Sequence, residues 1–207
     1  MKPPRTTPRI AKTQPRGAAQ AVRIIGGQWK RTPLPVAAVP GLRPTPNRVR
    51  ETLFNWLGQD MSGRDCLDLF AGTGALGLEA ASRGAHHVLL FETQAGAVRA
   101  LQAVIARLHG EARCEVHQGD ALHLAARLPP RSLDVIFIDP PFDAALHGPA
   151  ARCCAPLLRE GGRLYVEAPD DATLAQVEES GFIPIRRARA GAVSFALFAA
   201  AGEENQA

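Results

Sequence analysis

The run Val135-Ile136-Phe137-Ile138 has no polar alternation, and it ends abruptly in Asp139-Pro140-Pro141-Phe142. A short, continuous run of β-branched and aromatic residues reads as a strand buried on both faces, which implies a parallel sheet covered by helices. Neither proline can donate a ladder hydrogen bond, and their fixed φ angles make a stiff turn, so the strand stops there. Asp139 and Phe142 are therefore presented at the carboxyl end of a strand, where open α/β sheets hold their ligands. A carboxylate, rigid backbone carbonyls and an aromatic ring can grip a flat molecule bearing an amino group, such as a nucleobase.

The surrounding chain alternates strand and helix. Cys66–Phe70, Val88–Glu92, Arg113–His117, Leu133–Ile138 and Arg163–Ala168 read as strands, with helical spacing between them such as Ala97, Leu101, Val104, Ile105 and Leu108. This alternation implies an α/β, Rossmann-like, doubly wound sheet. The segments 181–185 and 193–198 lie too close for an intervening helix and are expected to pair as a hairpin, which makes the sheet mixed with one antiparallel strand. Ahead of the sheet, residues 21–25 and 28–34 flank Gly26-Gly27 and suggest a β-hairpin that carries Arg23, Lys30 and Arg31 beside Trp29. Trp29 is expected either to grip RNA or to pack on the main domain. Thr45 and Pro46 suit a helix start. Val49, Leu53, Trp56 and Leu57 then define an amphipathic helix over 46–58, with Arg48 and Arg50 off the apolar stripe and expected to face nucleic acid, or else solvent.

Charge divides the chain unevenly. Residues 1–50 hold eleven basic side chains and no acid, leaving 13 basic against 20 acidic for the rest, a balance of −7 within an overall +4. A polyanion-binding arm on an acidic enzyme body fits this segregation, and a solubilising tail fits residues 1–20 alone equally well. Pro3, Pro4, Pro8 and Pro15, without apolar periodicity, mark 1–20 as a disordered tail. The expected organisation is that tail, an RNA-contacting extension over 21–60, a catalytic domain over 61–199 and a frayed end at 200–207. At 207 residues one core domain is accommodated. The chain shows no long apolar stretch and no secretory signal, so a cytoplasmic protein without a membrane span is expected. Cys66 and Cys114 fall in strands and are expected to be buried thiols. The histidines show no zinc-ligand spacing, and no metal is expected.

The first strand leads into Asp68-Leu69-Phe70-Ala71-Gly72-Thr73-Gly74-Ala75-Leu76-Gly77. Its glycines satisfy G-x-G-x-x-G, and Glu92 lies twenty residues after Gly72, a pattern that serves any nucleoside-containing cofactor on this fold, nicotinamide dinucleotides included. Three features favour S-adenosylmethionine. Asp68 would repel a pyrophosphate but could accept a hydrogen bond from a cationic amino-acid moiety. Asp120, after the third strand, is placed to accept one from an adenine amino group. No second domain is present to supply hydride-transfer residues, whereas Asp139-Pro140-Pro141-Phe142 supplies another chemistry.

Taken together, 23–27, 42–45, Arg48-Val49-Arg50-Glu51-Thr52-Leu53-Phe54-Asn55-Trp56-Leu57, 70–80, 139–142 and 193–198 resemble the RsmD family of bacterial 16S ribosomal RNA guanine-N2 methyltransferases. The resemblance covers roughly residues 22–198. It implies a class I methyltransferase sheet of seven strands with S-adenosylmethionine across the ends of the first strands. Asp68, Phe70, Ala71, Gly72 and Gly74 would line the methionine end, Glu92 would hold the ribose, and Asp120 and Ala121 would contact the adenine. The implied substrate is a guanine of 16S rRNA in the 30S subunit or an assembly intermediate, contacted by Arg23, Lys30, Arg31, Arg43 and Arg48 of a protein expected to be monomeric. Asp139 and the Pro140 carbonyl would hold the amine, with Phe142 stacked on a flipped-out base. Two other readings remain open: a DNA or other RNA amino methyltransferase, and a nicotinamide-dependent oxidoreductase.

Overall fold

The structure is a computed structural model, and it describes residues 22–35, 47–141 and 145–201. The strands are β1 (Asp65–Asp68), β2 (His87–Glu92), β3 (Cys114–Gln118), β4 (Leu133–Ile138), β5 (Leu158–Ala168), β6 (Phe182–Ala190) and β7 (Val193–Ala200). The helices are α1 (Asn47–Leu57), α2 (Gly77–Ser82), α3 (Ala95–Arg107), α4 (Ala121–Ala125), α5 (His147–Cys154) and α6 (Asp171–Glu178). All seven strands join one sheet in the order β3-β2-β1-β4-β5-β7-β6. β1 to β5 run parallel, and β7 is inserted antiparallel between β5 and β6. The mixed sheet with one antiparallel strand is thus the expected one, with β6 continuing well past residue 185.

Period-2 alternation divides the core. Val135 and Phe137 of β4 face one layer and Ile136 and Ile138 the other, all with almost no exposure. The first layer holds α1, α2 and α3 and the second α4, α5 and α6. Leu53 and Phe54 anchor α1, Phe54 with its ring centroid 6.3 Å from that of Phe137. Complete burial of side chains this size contributes roughly 2 kcal/mol each. The proposed helix start at Thr45 and Pro46 lies outside the described residues, as do the 1–20 tail and Arg43.

The segment 22–35 departs from the expected hairpin. It reverses direction, but a single antiparallel bridge, Arg23 with Pro33, replaces a two-stranded ladder. Three backbone hydrogen bonds cross the segment, from Ile24 N to the Thr32 carbonyl (3.0 Å), Arg31 N to the Ile24 carbonyl (2.8 Å) and Leu34 N to the Val22 carbonyl (2.8 Å), while the amides at its turn are directed at α2. Gln28 N donates to the Ser82 carbonyl (2.7 Å) and Trp29 N to Ser82 Oγ (2.9 Å). Gly27, at φ +70°, lies so close that a Cβ would come within 1.8 Å of the Ser82 oxygen. Trp29 is buried, its ring against Gly110, so the packing alternative holds for this residue.

Arg50 is also corrected. It is fully buried, not turned to nucleic acid, and donates to Asn47 Oδ1 (2.7 Å) and the Ala75 carbonyl (3.4 Å) beside Glu79 (3.5 Å). Glu79 itself accepts the amides of Ile25 and Gly26 (2.7 Å each) and the Arg83 guanidinium (2.8 Å). One carboxylate therefore fastens the N-terminal segment, α1 and α2 together. Cys66 and Cys114 are buried free thiols, as expected. Among the described residues no helix is long and apolar enough to cross a membrane.

Candidate active site

The carboxyl ends of β1, β2, β4 and β5 converge on one acidic rim. Asp68 closes β1 and is almost fully buried, its Oδ2 accepting the Gly77 amide at 2.8 Å. This close approach favours glycine at 77, since a Cβ there would stand 3.0 Å from the Asp68 side chain. Burial lifts the Asp68 carboxyl from its ordinary value to about 7; the Gly77 amide opposes this and the charges of Asp139 and Glu92 reinforce it. A buried acid under that strain is a receptor for positive charge.

The glycine loop is shaped by its neighbours on both sides. Gly74, at φ +74°, would drive a Cβ to 2.6 Å from Leu101, so the loop seats directly on α2 and α3. Gly72, at φ +51°, would meet only the Phe70 carbonyl, 4.0 Å away, so its open side is available to a ligand. Ala71 is buried and donates to the Phe91 carbonyl (2.8 Å), while Phe70 is half-buried. Glu92 ends β2 and clamps the loop: Oε2 accepts the Gly72 amide (2.9 Å) and Oε1 the Gln94 amide (2.8 Å). Asp120 caps α4 through Oδ1 and the His123 amide (2.8 Å), followed by the buried Ala121.

Asp139 is half-buried at the end of β4, followed by buried Pro140; Phe142 lies outside the described residues. The register pairs Ile138 with Val166, which brings Asp139 level with Glu167 of β5. Glu167 is buried and accepts the Tyr165 hydroxyl at 3.0 Å. Burial, with the charges of Glu167 and Asp139, raises the Tyr165 phenol well above its ordinary value. His147 of α5 lies behind the same strand end, its Nε2 3.0 Å from the Glu167 carbonyl; burial lowers its pKa. The sequence reading missed Glu167 and Tyr165. Their signal was a carboxylate inside the apolar strand Leu164-Tyr165-Val166-Glu167-Ala168.

The structure thus brings Asp68, Phe70, Ala71, Gly72, Gly74, Glu92, Asp120, Ala121, Asp139 and Pro140 to one end of the sheet. It does not bring Arg23, Lys30 and Arg31 there. They are exposed on the segment docked at Ser82, at the end of α2 away from the glycine loop. Arg48 is exposed in the first turn of α1.

A family model described as Conserved hypothetical protein 95 matches residues 22–199. The Ribosomal RNA small subunit methyltransferase D of Haemophilus influenzae is 35% identical over 197 residues, covering 91% of this chain and 99% of that protein. The chain belongs to the RsmD family. The protein of the same name from Escherichia coli (strain K12) is 48% identical over 126 residues, an alignment of 60% of this chain that spans only 62% of that relative's length. Among solved structures, a putative methyltransferase yhhF from Escherichia coli superposes with a TM-score of 0.73 at 35% identity, over 87% of this chain and 98% of that one. The sheet order and antiparallel β7 are those of the class I methyltransferase fold.

The residues present fit S-adenosylmethionine. An uncompensated buried acid suits the cationic methionine end. A glycine with an open side lets the cofactor approach the backbone closely. Two further strand-end acids, Glu92 and Asp120, are held by backbone amides at the same end of the sheet.

Proposed function

We propose that this protein transfers a methyl group from S-adenosylmethionine to the exocyclic N2 of a guanine in 16S rRNA, acting as a monomer on the 30S subunit or an assembly intermediate. The observation that carries this reading is the placement of Asp139 and Pro140 on the same strand-end rim as Asp68, the glycine loop and Glu92. The names of the relatives supply the substrate class.

When bound, S-adenosylmethionine supplies an electrophilic methyl on a sulfonium. Asp68 offers its carboxylate to the methionine ammonium, Glu92 to the ribose hydroxyls and Asp120 to the adenine amino group. Guanine N2 is a poor nucleophile because its lone pair is delocalised into the ring. The Asp139 carboxylate and Pro140 carbonyl accept its two N–H bonds, which favours a pyramidal nitrogen with its lone pair aimed at the methyl carbon. Either Asp139 takes the proton that the amine sheds after transfer, or that proton passes to water. Phe142 stacks on the extruded base. Arg23, Lys30, Arg31, Arg43 and Arg48 contact the RNA; residues 21–60 thus serve as the RNA-contacting extension and 61–199 as the catalytic domain.

The test is Asp139→Ala, assayed with labelled cofactor on 30S particles, naked 16S rRNA and duplex DNA. Turnover on 30S particles is expected to fall by about 10²–10⁴-fold, with cofactor affinity by calorimetry changed only several-fold. Near-normal turnover removes the catalytic role, and a preference for duplex DNA removes the substrate.

A further inference from the structure

The edge strand β6 carries Arg186, Arg187 and Arg189, all exposed, in a stretch that the function described so far does not use. Arg187 pairs with Glu178 of α6. Arg186 and Arg189 meet only the carbonyls of Ile185 (3.3 Å) and Gly191 (3.2 Å), and among the described residues no carboxylate pairs with them. After a register shift between Pro184 and Arg186 the strand is regular, so alternation puts Arg186 on one side of the edge and Arg187 and Arg189 on the other. Arg186 stands opposite Leu197, which belongs to the α1 layer, while Arg187 reaches α6.

Their position along the sheet decides what they are for. Arg189 pairs with Ser194, and Ser194 with Ala168 at the carboxyl end of β5, one residue beyond Glu167. Arg189 is therefore at the same end of the sheet as Asp139, separated by β5 and β7. Three inter-strand spacings amount to roughly 14 Å. A stacked strand advances about 3.4 Å per nucleotide, so the interval spans roughly four nucleotides.

We infer that Arg186 and Arg189 on the β6 edge form a phosphate-binding surface for the RNA strand flanking the methylated base, which runs from Asp139 across the ends of β5 and β7. This rests on the rRNA reading above and adds a contact surface on the side of the sheet opposite β3. Arginine suits it, because its guanidinium fork binds phosphate oxygens bidentately. The competing role is edge protection, since charge, a proline and a bulge also discourage strand-to-strand association. That role predicts oligomerisation on neutralisation and no change toward RNA.

The experiment uses the full chain and a labelled single-stranded segment of 16S rRNA, titrated at several salt concentrations, for wild type, Arg186→Gln/Arg189→Gln and Arg186→Lys/Arg189→Lys. The Gln pair is expected to reduce the magnitude of the slope of log affinity against log salt by roughly 1.4, about 0.7 for each phosphate that is no longer neutralised. The Lys pair keeps most of the slope, and cofactor affinity by calorimetry is the same in all three. If wild type binds the RNA and the Gln pair keeps its full slope, the edge surface is overturned while the rRNA reading stands. If wild type itself shows neither salt-dependent binding nor methyl transfer to 30S particles, the reading fails and takes the surface with it.

Discussion

Strand β1 carries an aspartate at each end, and the two ends treat them in opposite ways. At the amino end, Asp65 of β1 and Asp134 of β4 share Arg159, with N–O distances of 2.8 and 2.5 Å. Asp65 also meets His86 Nδ1 (2.7 Å), and its own amide donates to Asp134 (2.7 Å). At the carboxyl end, Asp68 of β1 is held only by the Gly77 amide, and Glu92 by the Gly72 and Gln94 amides and the Thr93 hydroxyl. No cationic side chain among the described residues bridges either one. The same residue type in the same strand is electrostatically closed at one end and left negative at the other. That asymmetry locates the ligand site: the fold keeps charge uncompensated where a cationic ligand completes it.

Replacing Asp68 by Asn tests this most directly, with two readouts expected to move in opposite directions. Asp68 titrates near 7 in the folded protein instead of at its ordinary 3.8, so above neutrality its ionised form opposes folding. By linkage this is an effect of the order of a few kcal/mol. Asp68→Asn is expected to raise the melting temperature of the cofactor-free protein at pH near 8, at about 2–4 °C per kcal/mol for a chain this size. Cofactor affinity is expected to fall roughly tenfold to a hundredfold, the value of one charge-assisted hydrogen bond. A variant that melts lower and binds the cofactor as wild type does would make Asp68 a purely structural residue.

The same shift sets a pH dependence. Because the folded pKa is raised, the native state binds a proton more tightly than the unfolded chain between about 4 and about 7. The contribution of Asp68 to stability is therefore most favourable in acid and declines as pH rises through that window. Cofactor binding draws on the ionised form, so its affinity is expected to tighten by up to about tenfold per pH unit below about 7 and level off above. Calorimetric titrations across this range check it. Asp68→Asn is expected to flatten the profile, and a wild-type profile already flat would break the link between burial and binding.

Most of the acidic rim was legible in the sequence because it follows from local rules: an apolar run ended by prolines, glycines at fixed spacing, acids at strand ends. The second half of β6 was not, since Arg186-Arg187-Ala188-Arg189 on an exposed edge carries no apolar alternation and reads as a loop. Glu79 and Arg50 were illegible for a different reason. Their burial depends on which face of α2 meets α1 and the 22–35 segment, a tertiary fact that helical spacing within either element does not encode. Trp29 shows the same limit, because a basic, glycine-flanked aromatic suits either an RNA grip or a groove beside Gly110.

The amino end supplies the smallest effect and the sharpest contrast. Burial works against the charge of Asp65, but hydrogen bonds from His86 and Arg159 hold its pKa below the ordinary value. A lowered carboxyl pKa contributes stability above its unfolded value and loses it as pH falls through its folded one. Asp65→Asn is therefore expected to destabilise the protein at neutral pH, whereas Asp68→Asn at the other end of β1 stabilises it. The side chains of Arg159 and Asp65 are 38% and 23% exposed, so solvent screening limits the loss to about 1 kcal/mol. Urea melts at neutral pH measure that difference, and melts in acid, where Asp65 is protonated in both states, are expected to show it vanish. Cofactor affinity is expected to be unchanged. An Asp65→Asn protein as stable as wild type at neutral pH would mean that the Arg159 cluster is not what distinguishes the two ends of β1.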